Sequence, residues 1–274
     1  MQLAEPTTPA PAAAAANAAK ADAAAPPTPL EQRQWQRLAQ RAVRLAVTAF
    51  KDGCTRCADA SARGTAEATQ LTNSLLSQRY MPDLKLPEAL QQVAGLQVAA
   101  AAKLHRQQLQ HLQQLGELLD EMQAAVQDMQ AALEGVTSQL SEGAPWQHSL
   151  PIFHCLALPE GAALLQQLLQ MHSQELAVQQ GMLQSFSGLV QEAGSCLQER
   201  STAAQPNSRA LSGSSSSTSK AGSIGAGRRA GVRSVEDCRR LLTAGITTWM
   251  VRPCIDEGCS EQLLQLLTDE MAGF

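Results

Sequence analysis

The residues to ask about first are the cysteines and histidines. The chain holds seven cysteines and five histidines. Cys54-Thr55-Arg56-Cys57 is a lone Cys-x-x-Cys. Zinc would require two more ligands, and Cys254 and Cys259 are the nominal donors. Both fall on helix-like segments, so small buried side chains are the simpler reading of this set. A redox pair would need a strand leading into a helix, which the flanking sequence lacks. His105, His111, His148, His154 and His172 show no His-Glu-x-x-His spacing, the pattern that sets two imidazoles on one helix face. A Walker loop, a dinucleotide fingerprint and a Gly-x-Ser-x-Gly elbow are all missing. The sequence therefore predicts no enzyme, and no catalytic, cofactor-binding or metal-binding residue. An odd number of cysteines without a secretion signal suits a reducing compartment and free thiols.

Composition narrows the fold. Hydrophobic residues make up 44% and charged residues 17%, but aromatics only 3%, with three Trp, one Tyr and four Phe. Strands favour aromatic and β-branched side chains, so a large β-sandwich or barrel is excluded. The net charge of −4 is too small to name a polyanion as partner. No run reaches the roughly 18 apolar residues of a membrane span.

Two stretches read as disordered. Residues 1–29 are almost wholly Ala, Pro and Thr and cannot bury enough surface to offset ordering entropy. A cleaved transit peptide is the competing reading; Glu5, Asp22 and the lack of Arg speak against it. Residues 201–233 are Ser- and Gly-rich, with Arg209, Lys220, Arg228, Arg229 and Arg233 and no acid, as in a mildly basic linker. Thr8-Pro9 and Thr28-Pro29 offer proline-directed phosphorylation sites, which the tail composition explains equally well. The expected domains are the tail 1–29, a helical coiled-coil domain 30–200, the linker 201–233 and a helical pair 234–274.

Between these stretches the pattern is helical. Trp35, Leu38, Ala42, Leu45 and Ala49 form one apolar face, which weakens near Gly53 and Gly64 and recovers at Leu71, Leu75 and Leu76. Arg33, Arg37, Arg41 and Arg44 run beside it, a stripe able to meet an acidic partner or a phosphate backbone, or simply solvent. Pro87-Glu88 suits a first helical turn. Then Leu112, Leu115, Leu119, Met122, Val126, Met129, Leu133, Val136 and Leu140 alternate by three and four without a miss, a coiled-coil seam. Val98, Ala101, His105 and Gln108 continue that register as a fraying start.

After a Gly/Pro break, Pro159-Glu160 opens a second array: Leu165, Leu169, His172, Leu176, Gln179, Leu183, Phe186, Val190, Ala193 and Leu197. Its polar positions His172 and Gln179 can fix register. Seams joined by so short a loop predict an antiparallel helical hairpin. Ser234-Val235-Glu236-Asp237 resembles a capped start. The helix after it carries Leu241, Leu242, Ile246 and Trp249, and Pro253 separates it from a last Leu-rich helix. Arg239-Arg240-Leu241-Leu242 matches a cyclin-docking tetrapeptide, but its leucines also serve the helix face. The expected fold is all-α: a coiled-coil hairpin or bundle with a C-terminal helix pair folded back on it. Whether the seams pair within one chain or in a homodimer stays open.

Several pieces resemble, in order, the cyclin-dependent kinase 2-interacting protein family. They are Trp35 with the helix running through Phe50-Lys51-Asp52-Gly53; Pro151-Ile152-Phe153-His154; Leu168-Leu169-Gln170-Met171 with Glu175-Leu176; and Trp249-Met250-Val251-Arg252-Pro253-Cys254-Ile255-Asp256. The Phe-His and Trp-Pro pieces are the specific ones. The Cys-x-x-Cys, the 201–233 insertion and the Ala/Pro tail depart from the family's pattern.

The resemblance implies a nuclear, non-enzymatic adaptor, which could also occur in the cytoplasm, acting in DNA replication, cell-cycle and checkpoint control. Implied partners are a cyclin-dependent kinase with its cyclin, the Cdc7 kinase, the ATR-ATRIP complex and subunits of a chromatin-associated AAA+ ATPase assembly of replisome proteostasis and ribosome maturation. Phe153, His154, Trp249, Pro253, Ile255 and Asp256 would form a corner that either packs the core or touches a partner. No cofactor, membrane or direct nucleic-acid contact is expected. The alternative function is a structural coiled-coil tether in vesicle or cytoskeletal assembly.

Overall fold

The helical periodicities become five α-helices in the computed structural model, which describes residues 27–85, 87, 90, 93, 95–141, 145–203 and 234–273. They are α1 (Pro29–Tyr80), α2 (Leu96–Ser141), α3 (Leu158–Ala203), α4 (Val235–Val251) and α5 (Glu257–Met271), with 3-10 turns at Met81–Asp83 and Pro145–His148. Among the described residues β-structure is limited to one isolated bridge, Pro151 with Ala157. The fold is all-α. Thr8 and most of the expected tail and linker lie outside the described residues.

Helix boundaries follow local chemistry and correct three expectations. Thr28 closes a capping box: its hydroxyl accepts from the Glu31 amide, and the Glu31 carboxylate accepts from the Thr28 amide at 2.8 Å. These bonds from Thr28 hold the Glu31 carboxyl below its usual pKa. Residues 28 and 29 thus belong to the fold and not to the tail. At the expected start the Leu90 amide bonds the Pro87 carbonyl, while residues 88, 89, 91 and 92 lie outside the described residues. Gly95 adopts φ +79°, a left-handed conformation that glycine takes without strain, and α2 begins after it at Leu96. At the other boundary, α3 runs through Ala203, past the expected end at 200.

The three long helices run up, down and up. Between α1 and α2, antiparallel, Arg56 meets Asp128 at 2.5 Å, Arg63 meets Glu121, and Gln78 accepts from Gln108 at 2.6 Å. The expected hairpin of α2 and α3 is present: Leu133 and Leu169 line one cleft, while His105 lies against Gly194. Helices α1 and α3 are parallel, with Arg79 paired to Glu192 at 2.9 Å.

Seven of the nine seam positions, from Leu115 to Val136, are buried, and Leu112 and Leu140 are half-buried. Leu118 and Ala125 are buried as well, because α2 is the middle helix and packs on two sides. Its more extensive contact is with α1, not with α3 as the paired seams suggest. The reason is a lane of small residues on α1, Ala39, Ala46, Gly53 and Ala60, all buried, which lets the helices approach closely. A Cβ on Gly53 would stand 2.7 Å from Met129 Cγ. The start of the seam does not fray. Ala101 is buried, and Gln108 is fully buried in a polar layer where Gln78 also donates to the Ala193 carbonyl.

The expected apolar face of α1 is rotated. Trp35, Ala39, Val43, Ala46, Val47 and Phe50 are buried, whereas Leu38 and Leu45 are 59% and 63% exposed. Helix α4 starts on Ser234, whose hydroxyl accepts from the Asp237 amide at 3.0 Å. It packs on α1 and α3, with Gly245 against Phe186 and the Trp249 ring in a notch where Gly64 has no Cβ. Gly53 and Gly64 are therefore close-packing sites, not weak points of the helix.

Candidate functional site

The two specific family-like pieces meet opposite ends of α5. At its start, Arg252 adopts φ +48° and ends α4 in a left-handed cap. Pro253 follows, exposed, and Ile255 is half-buried. Asp256 caps α5, accepting from the Cys259 amide at 3.0 Å. At the far end, Glu270 accepts from the backbone amides of Cys155 and Leu156 at 3.0 and 3.2 Å and from the Cys155 thiol at 2.7 Å. Those bonds hold the Glu270 carboxyl below its usual range and raise the Cys155 thiol. His154 Nε2 sits 3.0 Å from the Ala272 carbonyl, so the loop and the end of α5 hold each other.

The aromatic members are packing residues. Trp249 is 1% and Phe153 5% exposed. The Trp249 carbonyl accepts from Ser61 Oγ at 3.2 Å. Phe153 lies beneath the Arg44 guanidinium, 6.0 Å from its ring centroid, and Gln36 and Gln40 of α1 donate to the carbonyls of Pro151 and Ile152. Trp35 stacks edge-on with Trp146, centroids 5.7 Å apart. Of the expected corner, His154, Pro253 and Asp256 reach the surface, and Phe153 and Trp249 do not.

Beside the corner lies a polar knot that the sequence did not disclose. Cys54 Sγ of α1 is 3.2 Å from His172 Nε2 of α3, 118 residues apart in the chain. One turn along α3, buried Glu175 accepts from Gln179 Nε2 at 2.8 Å and from the Cys254 amide at 3.0 Å. A Cys–His contact is a nucleophile's arrangement only if the thiolate forms. Burial pushes both Cys54 and Cys57 up to about 11, outweighing the nearby Arg252 charge. Burial, assisted by Arg252, pushes His172 down to about 4. At neutral pH both partners are uncharged, and the contact is a part-buried hydrogen bond that ties α1 to α3.

The four cysteines weighed as zinc ligands do not assemble. Cys254 enters the knot through its backbone, Cys259 Sγ faces Gln167 Nε2 at 3.7 Å, and no group of three metal-ligating side chains occurs among the described residues. The tetrapeptide Arg239-Arg240-Leu241-Leu242 is split: Leu242 is fully buried, Leu241 is 38% exposed, and Arg240 pairs with Glu236 one turn back. Only half of its leucine pair therefore serves the helix face.

The remaining feature is the outward face of α1. Arg33, Arg37, Arg41 and Arg44 are all exposed, and Leu30, Leu38 and Leu45 lie exposed beside them. At 100° per residue the four arginines fall within an arc of about 80°. Arg56, Arg63 and Arg79 of the same helix each pair with a carboxylate of α2 or α3, whereas Arg33, Arg37 and Arg41 pair with no acid among the described residues. No described helix is long and apolar enough to cross a membrane. No family model, curated protein or solved structure matches this chain.

Proposed function

We propose that the protein is a non-enzymatic adaptor of DNA replication and checkpoint control, acting in the nucleus through its helix faces. One observation carries this reading. The two pieces with specific resemblance to the cyclin-dependent kinase 2-interacting protein family, the Phe153-His154 loop and the 249–256 corner, fasten the two ends of α5 to the bundle, the first through His154 and Cys155 and the second through the Cys254 amide on Glu175. Short pieces far apart in sequence that serve one clamp support a common architecture beyond the match of Leu-rich helices. The part-buried, neutral Cys54–His172 pair also favours binding over catalysis. The proposed partners are the S-phase kinases, ATR-ATRIP and AAA+ ATPase subunits.

The test is affinity purification of the tagged full chain from nuclear extract, followed by mass spectrometry. Recovery of AAA+ ATPases, origin factors or S-phase kinases is expected. Enrichment of vesicle-tethering or cytoskeletal factors in their place would overturn the reading.

A further inference from the structure

We infer that the outward face of α1 between Leu30 and Leu45 is a docking surface for an acidic, leucine-bearing amphipathic helix of a partner protein. This deepens the adaptor reading, and it rests on that reading only for the partner being a protein.

The face combines two features that one occupant must satisfy together. Arg33, Arg37 and Arg41 carry charge that no described carboxylate neutralises, although Arg56, Arg63 and Arg79 farther along α1 are each paired across the bundle. Leu38 and Leu45, 59% and 63% exposed and seven residues apart, form a lane beside them, and Leu30, 65% exposed, stands among the arginines at the start of the helix. The stretch is about 22 Å long, some four helical turns, the length over which a docked helix presents its anchors.

A phosphate backbone would meet the arginines and leave the leucines wet. A bilayer would demand a broad apolar face, but the broad apolar face of α1 is already spent on the core, from Trp35 to Phe50. An acidic helix with its own leucines fits both lanes. The chain itself supplies an instance of that chemistry. Helix α5 carries Glu257, Glu261, Asp269 and Glu270 with no Lys or Arg, and packs its Leu-rich side against α1 next to Lys51, farther along the same basic edge. The surface is also held in shape. Gln36 and Gln40 fix the 151–152 backbone along one flank, and Phe153 supports Arg44 from below.

The probe is a fluorescein-labelled synthetic 18-residue helix with Leu at alternating third and fourth positions and Glu between them, followed by anisotropy against the full chain. The acidic peptide should bind, and its Lys-for-Glu counterpart should not. The double substitution Arg37→Glu/Arg41→Glu should weaken binding about tenfold or more by like-charge repulsion. Leu38→Ser/Leu45→Ser should also weaken it clearly, and both variants should keep the wild-type Tm because these side chains face solvent. Three results would each overturn the proposal: no binding of the acidic peptide, binding insensitive to the leucine pair, or binding found only with phosphatidylserine vesicles or duplex DNA. Failure here alongside recovery of replication factors from nuclear extract would reject this face and leave the adaptor reading standing.

Discussion

Helix α1 is two surfaces joined end to end. From Gly53 to Leu75 its glycines receive Met129 and Trp249, Cys57 is buried and Cys54 half-buried, and Arg56 and Arg63 are matched by carboxylates of α2. From Leu30 to Leu45 the inward side is as well packed, yet the outward side shows leucines and unmatched arginines. Helical propensity is similar along the whole rod. What differs is the kind of residue turned outward: in the later half Asp52, Thr55, Asp59, Ala62, Ala66, Gln70 and Asn73 are exposed, but they are polar or small. Exposed leucine within a basic stripe is thus a local property of one half and not a general looseness of the protein.

Truncations should separate the halves most strongly. Trp249→Ala empties the notch over Gly64 and is expected to cost about 3–5 kcal/mol, as for a large buried aromatic. Leu38→Ala should stay within about 0.5 kcal/mol of wild type. Urea denaturation of both checks the contrast, and equal losses would erase it.

Acid should then act on the engaged half. His172 titrates near 4 in the fold and near 6.5 when unfolded, so between these values the unfolded chain binds a proton that the native chain refuses. Stability present above pH 6.5 is therefore lost as the pH falls toward 4, by at most about 3 kcal/mol. The groups facing this imidazole are the Cys54 thiol and the Arg252 guanidinium, neither of which stabilises its protonated form. His172→Gln should flatten the profile in that window, and an unchanged slope would assign the acid sensitivity to other groups.

The smallest effect falls at the open end. Thr28→Ala removes the hydroxyl that accepts from the Glu31 amide and should cost about 1 kcal/mol. Amide exchange should show that cost as fraying confined to the first turns of α1. Protection lost as far as Gly53 would mean that the two halves unfold as one unit.

The sequence disclosed whatever is built from large apolar side chains at regular spacing. The two leucine seams, the break at Pro253 and the Ser234 cap could all be read from it. The packing of α1 could not. Ala39, Ala46 and Gly53 add almost no hydrophobic signal, while Leu38 and Leu45 supply a strong one and point outward. Periodicity therefore rotated the face toward the wrong residues and left α1 without its role as the main neighbour of α2. The capping box of Thr28 with Glu31 was legible in Thr-Pro-Leu-Glu, but the composition of the Ala/Pro tail masked it. The Cys54–His172 contact joins positions that only tertiary folding brings together, and no local signal marks it.

The lane Ala39, Ala46, Gly53 and Ala60 repeats every seven residues, and antiparallel helices with such a repeat can slide by one heptad, about 10 Å, and still bury apolar surface. Of the four positions only Gly53 lacks a methyl group, and Met129 occupies that space. A slid arrangement would press Met129 onto Ala46 or Ala60. The absence of one methyl group thus acts as a detent, selecting a single alignment of the long helices and fixing how far the basic face stands from the opposite end of the rod.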